Sequence, residues 1–354
     1  MAAVRVADRL RRRQAGDRAP SWLNDRVVPF AQHDERPRIG ISRCLLGDEV
    51  RYDGGHKRDP FLVETFGRFV EWVPVCPEIE MGMPTPREAI HLVASRDGVP
   101  SAEHRVRLLG VRSGHDWTLD MDRWRRSRVR ELADACLSGY VLKKDSPSCG
   151  LERVRVHRDN GVTRTGRGLF AQALIDAFPN LPVEDEGRLH DPKLRDNFVE
   201  RVFAYQRVRR LLSGKWTPAD LIRFHTAHKL LLLAHSRPAY SALGRLVGRV
   251  GDLGRREAAA LYERGFMEAL RKIATPGRHA DVLQHMLGHF TDRLDDASRR
   301  ELISLIDDHR RGIVPLIVPL TLMRHHVRQH GVEYLAGQVY LEPHPRELSL
   351  RNHV

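Results

Sequence analysis

Three short apolar bursts, each running into a loop that carries a cysteine, constrain this chain more than any other feature. RIGIS (38–42) leads to Cys44, FVEWVPV (69–75) leads to Cys76, and GYVLK (139–143) leads through DSPSC to Cys149. Each burst has strand length and is bounded by Gly, Pro or Ser, with helical patterns lying between the bursts. In an open parallel sheet the carboxyl ends of the strands share one edge, and α/β proteins place their ligands at that edge. Cysteines far apart in sequence can therefore meet in space. The pattern predicts an α/β domain with a mostly parallel sheet, a helix over 168–177 and a fourth strand over 181–183.

Beyond about Asp191 the strand pattern stops. Apolar residues recur at helical spacing over 199–212, 218–234, 240–250, 257–273, 280–290, 298–308 and 315–329, which predicts an all-α domain. Residues 1–35 are rich in arginine and lack a long apolar period, so they read as a flexible extension. The expected organisation is 1–35 extension, 36–190 α/β domain and 191–354 helical domain.

With 354 residues, 41% of them hydrophobic, the chain can bury a sizeable core. No apolar run approaches the roughly 18 residues of a membrane span. The first residues place arginine and aspartate where a signal peptide needs an apolar stretch. A cytoplasmic location with no membrane partner is expected. The net charge is +13, and residues 191–354 alone hold 27 Lys+Arg against 18 Asp+Glu, together with 12 of the 19 histidines. A polyanion is expected to bind there, the alternative being a plain solvated basic surface. His225, His228 and Lys229 share a predicted helical face, and His285 and His289 stand at i, i+4. Packing or phosphate contact is expected of them ahead of a second metal.

Four cysteines without a CxxC pair exclude the common zinc-ribbon and thioredoxin patterns. Cys136 falls with Val129, Leu132, Ala133 and Leu137 on the apolar stripe of a helix predicted over 122–137, and reads as a buried, inert cysteine. The other three lie in Gly-, Pro- and Ser-rich loops, with Glu78 two residues from Cys76 and Ser146 and Ser148 beside Cys149. The residues alone leave three chemistries open. Three thiolates can hold a 4Fe-4S cluster with one open iron, or a zinc ion with a water. Cys149 can also be a nucleophile, with His56 or His91 as its nearest candidate base.

SRCLLG (42–47) with RYDGG (51–55), VPVCPE (73–78) with GMPTPR (82–87), and LKKDSPSCG (142–150) occur in an order that resembles the thiouracil desulfidase family over about residues 37–190. From FHTAHKLLLLAHSRPAYSALG (224–244) onward the chain resembles a helical domain often fused to that family and long catalogued without a function. The two-domain arrangement is similar to tRNA 4-thiouridine desulfidases. The resemblance implies an oxygen-sensitive 4Fe-4S cluster on Cys44, Cys76 and Cys149, with one iron open to substrate. It also implies a catalytic glutamate and serine, matched by Glu78 and Ser146. Ser42, Asp53, Ser148 and Lys143 are expected near the substrate, with Lys144 as a further basic neighbour. The expected partners are thiolated tRNA and a small thiolated nucleobase in the pocket, with no DNA. Salvage of free thiouracil or thiouridine, and an RNA-binding iron-sulfur sensor without turnover, are the rival functions.

Overall fold

The computed structural model describes residues 35–94 and 106–354. The expected extension therefore lies, except for Glu35, outside the described residues. The first strand, β1 (Arg38–Ser42), is followed by two short helical turns, Phe61–Thr65 and Phe66–Arg68. Then come β2 (Glu71–Val75), helix α1 (Pro77–Glu80), β3 (Ile90–Ala94), β4 (Val106–Gly110), α2 (Thr118–Asp134), β5 (Gly139–Leu142), β6 (Val154–Arg158), β7 (Gly161–Gly166), α3 (Leu169–Ala177) and β8 (Val183–Asp185).

β2, β1, β5 and β8 form, in that order, a four-stranded sheet whose pairings are all parallel. The register sets Ser42 opposite Val75, so Cys44 and Cys76 follow directly on paired positions at one sheet edge. Pro74 sits in β2, an edge strand that spares a ladder donor. Gly40 has a different duty. A Cβ there would lie 2.1 Å from the ring of Tyr140, its registered neighbour on β5. The expected strand over 181–183 forms two residues later, after Pro182.

A second sheet, ordered β4-β3-β6-β7, was not anticipated. It pairs β3 and β6 in parallel and closes each side with an antiparallel neighbour. Its strands interleave Arg, His and Thr with Val and Leu, the mark of a sheet with one solvated face, which is a weaker signal than an unbroken apolar burst.

The remainder is helical, as expected: α4 (Pro192–Ser213), α5 (Pro218–Ala227), α6 (Lys229–His235), α7 (Arg237–Gly248), α8 (Arg255–Arg271), α9 (Pro276–Leu287), α10 (Asp296–Arg310), α11 (Ile317–Gln329) and α12 (Glu333–Ala336). The single helix expected over 218–234 is two, broken at His228. That ring is fully buried, bonds the Phe224 carbonyl at 2.7 Å and accepts from Arg207 Nε at 3.2 Å. His225 is also buried, against Tyr262 at 3.1 Å. Seven of the twelve histidines in 191–354 are buried. They serve packing, so they form no row on the surface. His285 and His289 are exposed, with ring centroids 5.5 Å apart.

The α/β and helical parts share apolar packing. Ile39, Ile41 and Val141 of the parallel sheet are buried in one cluster with Phe198, Val199, Val202 and Phe203 of α4 and with Leu348 and Leu350. Among the described residues no helix is long and apolar enough to cross a membrane.

Cys136 departs from expectation. α2 ends at Asp134, and the chain must turn into β5 within four residues. Residue 136 takes that turn with φ 52° and is exposed. The apolar stripe that seemed to include it stops one turn earlier, at Leu132, and Leu137 is buried by the turn itself.

Candidate active site

Cys44, Cys76 and Cys149 are buried and line one cavity of about 500 Å³ at the carboxyl edge of the parallel sheet. Ser42, Glu78, Lys143 and Ser146 share its wall, and no lining residue comes from beyond Arg155. Three loops build it. The segment after β1 is fixed by the Lys57 amide on the Cys44 carbonyl at 2.9 Å and the Asp59 amide on that of Leu45 at 3.0 Å. The segment after β2 turns into α1, where the Cys76 amide donates to Glu80 Oε1 at 3.1 Å. The segment after β5 is held by α3, because Gly168 donates to the Gly150 carbonyl at 2.8 Å and Phe170 to that of Ser148 at 3.0 Å.

Burial and the Glu78 carboxylate push the Cys44 thiol up to about 11 and the Cys76 thiol up to about 12. The same causes push Cys149 far above its usual range, against a hydrogen bond with Ser42. Three thiols gathered where a bare thiolate is disfavoured suit the binding of positive metal, whose charge makes up the lost solvation.

Glu78 Oε2 lies 3.5 Å from Cys76 Sγ, and Arg87 Nη2 approaches the same oxygen at 3.9 Å. Arg87 also donates to the Val50 carbonyl at 3.0 Å and is only 6% exposed, so the carboxylate has a buried cation behind it. Ser146 Oγ accepts from the amides of Ser148 at 3.2 Å and Cys149 at 3.1 Å. Its two lone pairs are thereby engaged, and its proton is left to donate toward the cavity. Ser42 Oγ accepts from the Lys143 amide at 2.9 Å, joining β1 to β5 beside the thiols.

The other expected residues are placed differently. The Lys143 ammonium is tied to Glu186, whose second oxygen accepts from the Lys144 amide at 2.7 Å. Ser148 is fully buried, its hydroxyl has no partner, and it does not line the cavity. Asp53 faces its own turn, taking the Gly55 amide at 3.1 Å and pairing with Arg51 at 3.4 Å. Neither His56 nor His91 lines the cavity. His56 bonds the Arg58 amide at 3.2 Å and His91 packs on His157, ring centroids 4.5 Å apart, so the reading of Cys149 as a nucleophile lacks its base.

Arg87, Glu186, Tyr52, Lys57 and Arg155 were not foreseen at the site. Arg87 closes the GMPTPR motif, where its sequence position carries no sign of the cavity it lines. Glu186 reaches Lys143 because Leu142 is in register with Asp185, one residue before it. That pairing could not be read before the strand order was known.

Among the described residues no three His, Cys, Asp or Glu side chains are gathered closely enough to hold a single metal ion. A cubane asks each thiolate to reach a different iron, so three thiols spaced around one cavity fit a cluster better than a zinc ion.

Comparison with known proteins finds relatives for both parts of the chain. The family model "2-thiouracil desulfurase" matches residues 39–186, and that of a protein family of unknown function, DUF1722, matches residues 229–345. The uncharacterized protein YbgA of Escherichia coli (strain K12) is 34% identical over 44% of this chain and 94% of its own length. The uncharacterized protein YbbK of Bacillus subtilis (strain 168) is 30% identical over 42% of this chain and 96% of its own. A solved structure named as the [4Fe-4S]-dependent thiouracil desulfidase TudS is 30% identical over 44% of this chain and 95% of that chain, with a TM-score of 0.35.

Proposed function

Because the chain belongs to the 2-thiouracil desulfurase family through residues 39–186, we propose that it is a desulfidase that replaces the sulfur of a thiolated uracil by oxygen, acting in the cytoplasm on 4-thiouridine in tRNA. The observation that carries the reading is the convergence of three buried thiols, Glu78 and Ser146 on one cavity. In this reading residues 36–190 form the catalytic domain and residues 191–354 hold the RNA.

Cys44, Cys76 and Cys149 would hold a 4Fe-4S cluster. With three protein ligands, such a cluster supplies a thiophilic Lewis acid at its open iron. The reaction is a hydrolysis: water adds across C=S, its oxygen stays on the ring carbon, sulfur leaves as hydrogen sulfide, and no electrons are exchanged. Glu78, backed by Arg87, takes the proton from that water. Ser146, whose oxygen already accepts two amides, donates to a polar atom of the base and fixes its orientation. Ser42 holds the Lys143 amide and so keeps the β1 and β5 loops in register around the base.

A base in folded tRNA must be turned out of its stack to enter such a cavity. The charge excess of residues 191–354 supports their role in holding the rest of the RNA. One observation favours a second reading, turnover of free thiouracil or thiouridine: every residue lining the cavity belongs to 42–155, so the chemistry itself asks nothing of the helices.

The deciding experiment is anaerobic. Reconstituted protein is given 4-thiouridine-containing tRNA, free 4-thiouridine and 2-thiouracil, and sulfide release is followed. The tRNA reading expects the highest kcat/KM on tRNA, falling steeply with salt. Equal turnover of the free nucleoside overturns it in favour of salvage. Normal tRNA binding without release of sulfide from any substrate overturns the enzyme and leaves an iron-sulfur sensor.

A further inference from the structure

Among the described residues the cavity wall carries a single aromatic ring, that of Tyr52. The remaining lining mixes charged side chains, with Arg43, Arg51, Lys57, Arg87, Lys143, Lys144 and Arg155 against Glu78 and Asp145, and small apolar ones such as Val50, Val75 and Ile90. A planar pyrimidine presents two π faces, and an aromatic ring can cover one of them over its whole area. Tyr52 is also one of the few large apolar side chains left exposed, at 45%.

The turn that carries Tyr52 is tightly knit. The Gly54 amide donates to the Arg51 carbonyl at 3.0 Å, the Arg51 amide to the Gly55 carbonyl at 3.2 Å, and Gly54 has φ 76°, a conformation glycine adopts freely. The Arg51 guanidinium lies 5.5 Å from the Tyr52 ring centroid, and Asp53 holds that guanidinium at 3.4 Å. The ring therefore has a cation steadying it on one side.

One residue joins this platform to the carboxylate. The Arg87 amide donates to the Tyr52 carbonyl at 2.9 Å, while the Arg87 side chain stands behind Glu78 at 3.9 Å. Ring and carboxylate are thus held by the same residue from two sides of one cavity.

We propose that Tyr52 is the platform on which the substrate pyrimidine stacks, so that Asp53 acts indirectly, by fixing Arg51 beside the ring. The proposal rests on the desulfidase reading. It names the group that selects a planar base. Stacking of this kind is present in the bound substrate and in the transition state alike, so its loss raises KM and leaves kcat near its original value.

The test uses the anaerobically reconstituted full chain and its Tyr52→Ala, Tyr52→Leu, Tyr52→Phe and Tyr52→Trp variants, with iron content matched to wild type. Two quantities are read: kcat and KM on 4-thiouridine, and the Kd for uridine by calorimetry. Tyr52→Ala is expected to weaken Kd and raise KM by about ten- to a hundredfold. Tyr52→Leu, similar in bulk but not aromatic, should fail to recover the loss, whereas Tyr52→Phe and Tyr52→Trp should recover it. Near-ultraviolet irradiation with bound 4-thiouridine should place the crosslink on the peptide that contains Tyr52. Unchanged Kd in Tyr52→Ala overturns the proposal. So does a loss in Tyr52→Phe as large as that in Tyr52→Ala, which would assign the contact to the hydroxyl. Uridine binding that depends on Tyr52 in a protein that releases no sulfide would sink the desulfidase reading and keep the stacking platform. Turnover with no dependence on Tyr52 would do the reverse.

Discussion

Cys76 Sγ donates its proton to Glu78 Oε2 across 3.5 Å. If the sulfur gives up that proton to bind metal, the charge of the metal and the Arg87 guanidinium behind the oxygen offset the repulsion between the two anions. The carboxylate is thereby aimed into the cavity. Glu78→Gln keeps the shape and removes the base. The expected outcome is a kcat lower by about 10²- to 10⁴-fold, with iron and sulfide content unchanged, measured by sulfide release and metal analysis on one preparation. Full activity in this variant would remove Glu78 from the chemistry.

The three buried thiols should act as one ligand set. Cys44→Ala, Cys76→Ala and Cys149→Ala should each lose most of the iron bound after anaerobic reconstitution. Cys136→Ala should keep it, because that thiol lies exposed beyond the end of α2 and away from the cavity. Iron loss in Cys136→Ala would mean a fourth ligand and no open iron.

Gly168 opens α3 against the backbone of the cysteine loop. A Cβ there would come within 2.4 Å of the Ser148 carbonyl carbon and oxygen and 2.8 Å of the Cys149 amide nitrogen. No rotamer change relieves a backbone contact. Gly168→Ala is expected to cost about 1–3 kcal/mol of stability and to lower iron incorporation with it, since the loop that gives way carries Cys149. Denaturation midpoint and iron content should fall together, and a midpoint equal to wild type would contradict the packing described.

Burial, aided by Lys229, pushes the His225 ring down to about 4. The unfolded chain takes up this proton near the ordinary value, the folded one only near 4, so stability is lost as pH falls between the two. The loss from His225 is on the order of 3 kcal/mol. Buried His228 and His279 are lowered also and add to it, whereas His235, raised by Glu200, works the other way. Urea midpoints should be lower at pH 5 than at pH 7.5, and His225→Phe should narrow the difference. Equal midpoints at the two pH values would count against the buried neutral rings.

The parallel sheet was legible because its inner strands, β1 and β5, are buried on both faces and read as apolar bursts. β1 and β5 emerged within a residue of their expected bounds. The second sheet was hidden by its alternation of Arg and His with Val, which also occurs in loops and amphipathic helices. Around the cavity, Cys44, Cys76, Glu78 and Ser146 could be brought near one another from local sequence, since each follows closely on the end of a strand. Glu186 and Arg155 could not, because strand register and the approach of a second sheet bring them in. Asp53 was noticed for its charge, whereas the structure gives the cavity to the ring beside it. Packing is what His225 and His228 do, as expected, although the break at His228 removes the single helical face on which their i, i+3 spacing was drawn.

Leu348 and Leu350 belong to the same buried cluster as Ile39 and Ile41 of β1, roughly 300 positions away along the chain, a separation that makes such a cluster slow to complete. The shelter of the strand that leads into Cys44 is thus complete only once those distant residues have folded.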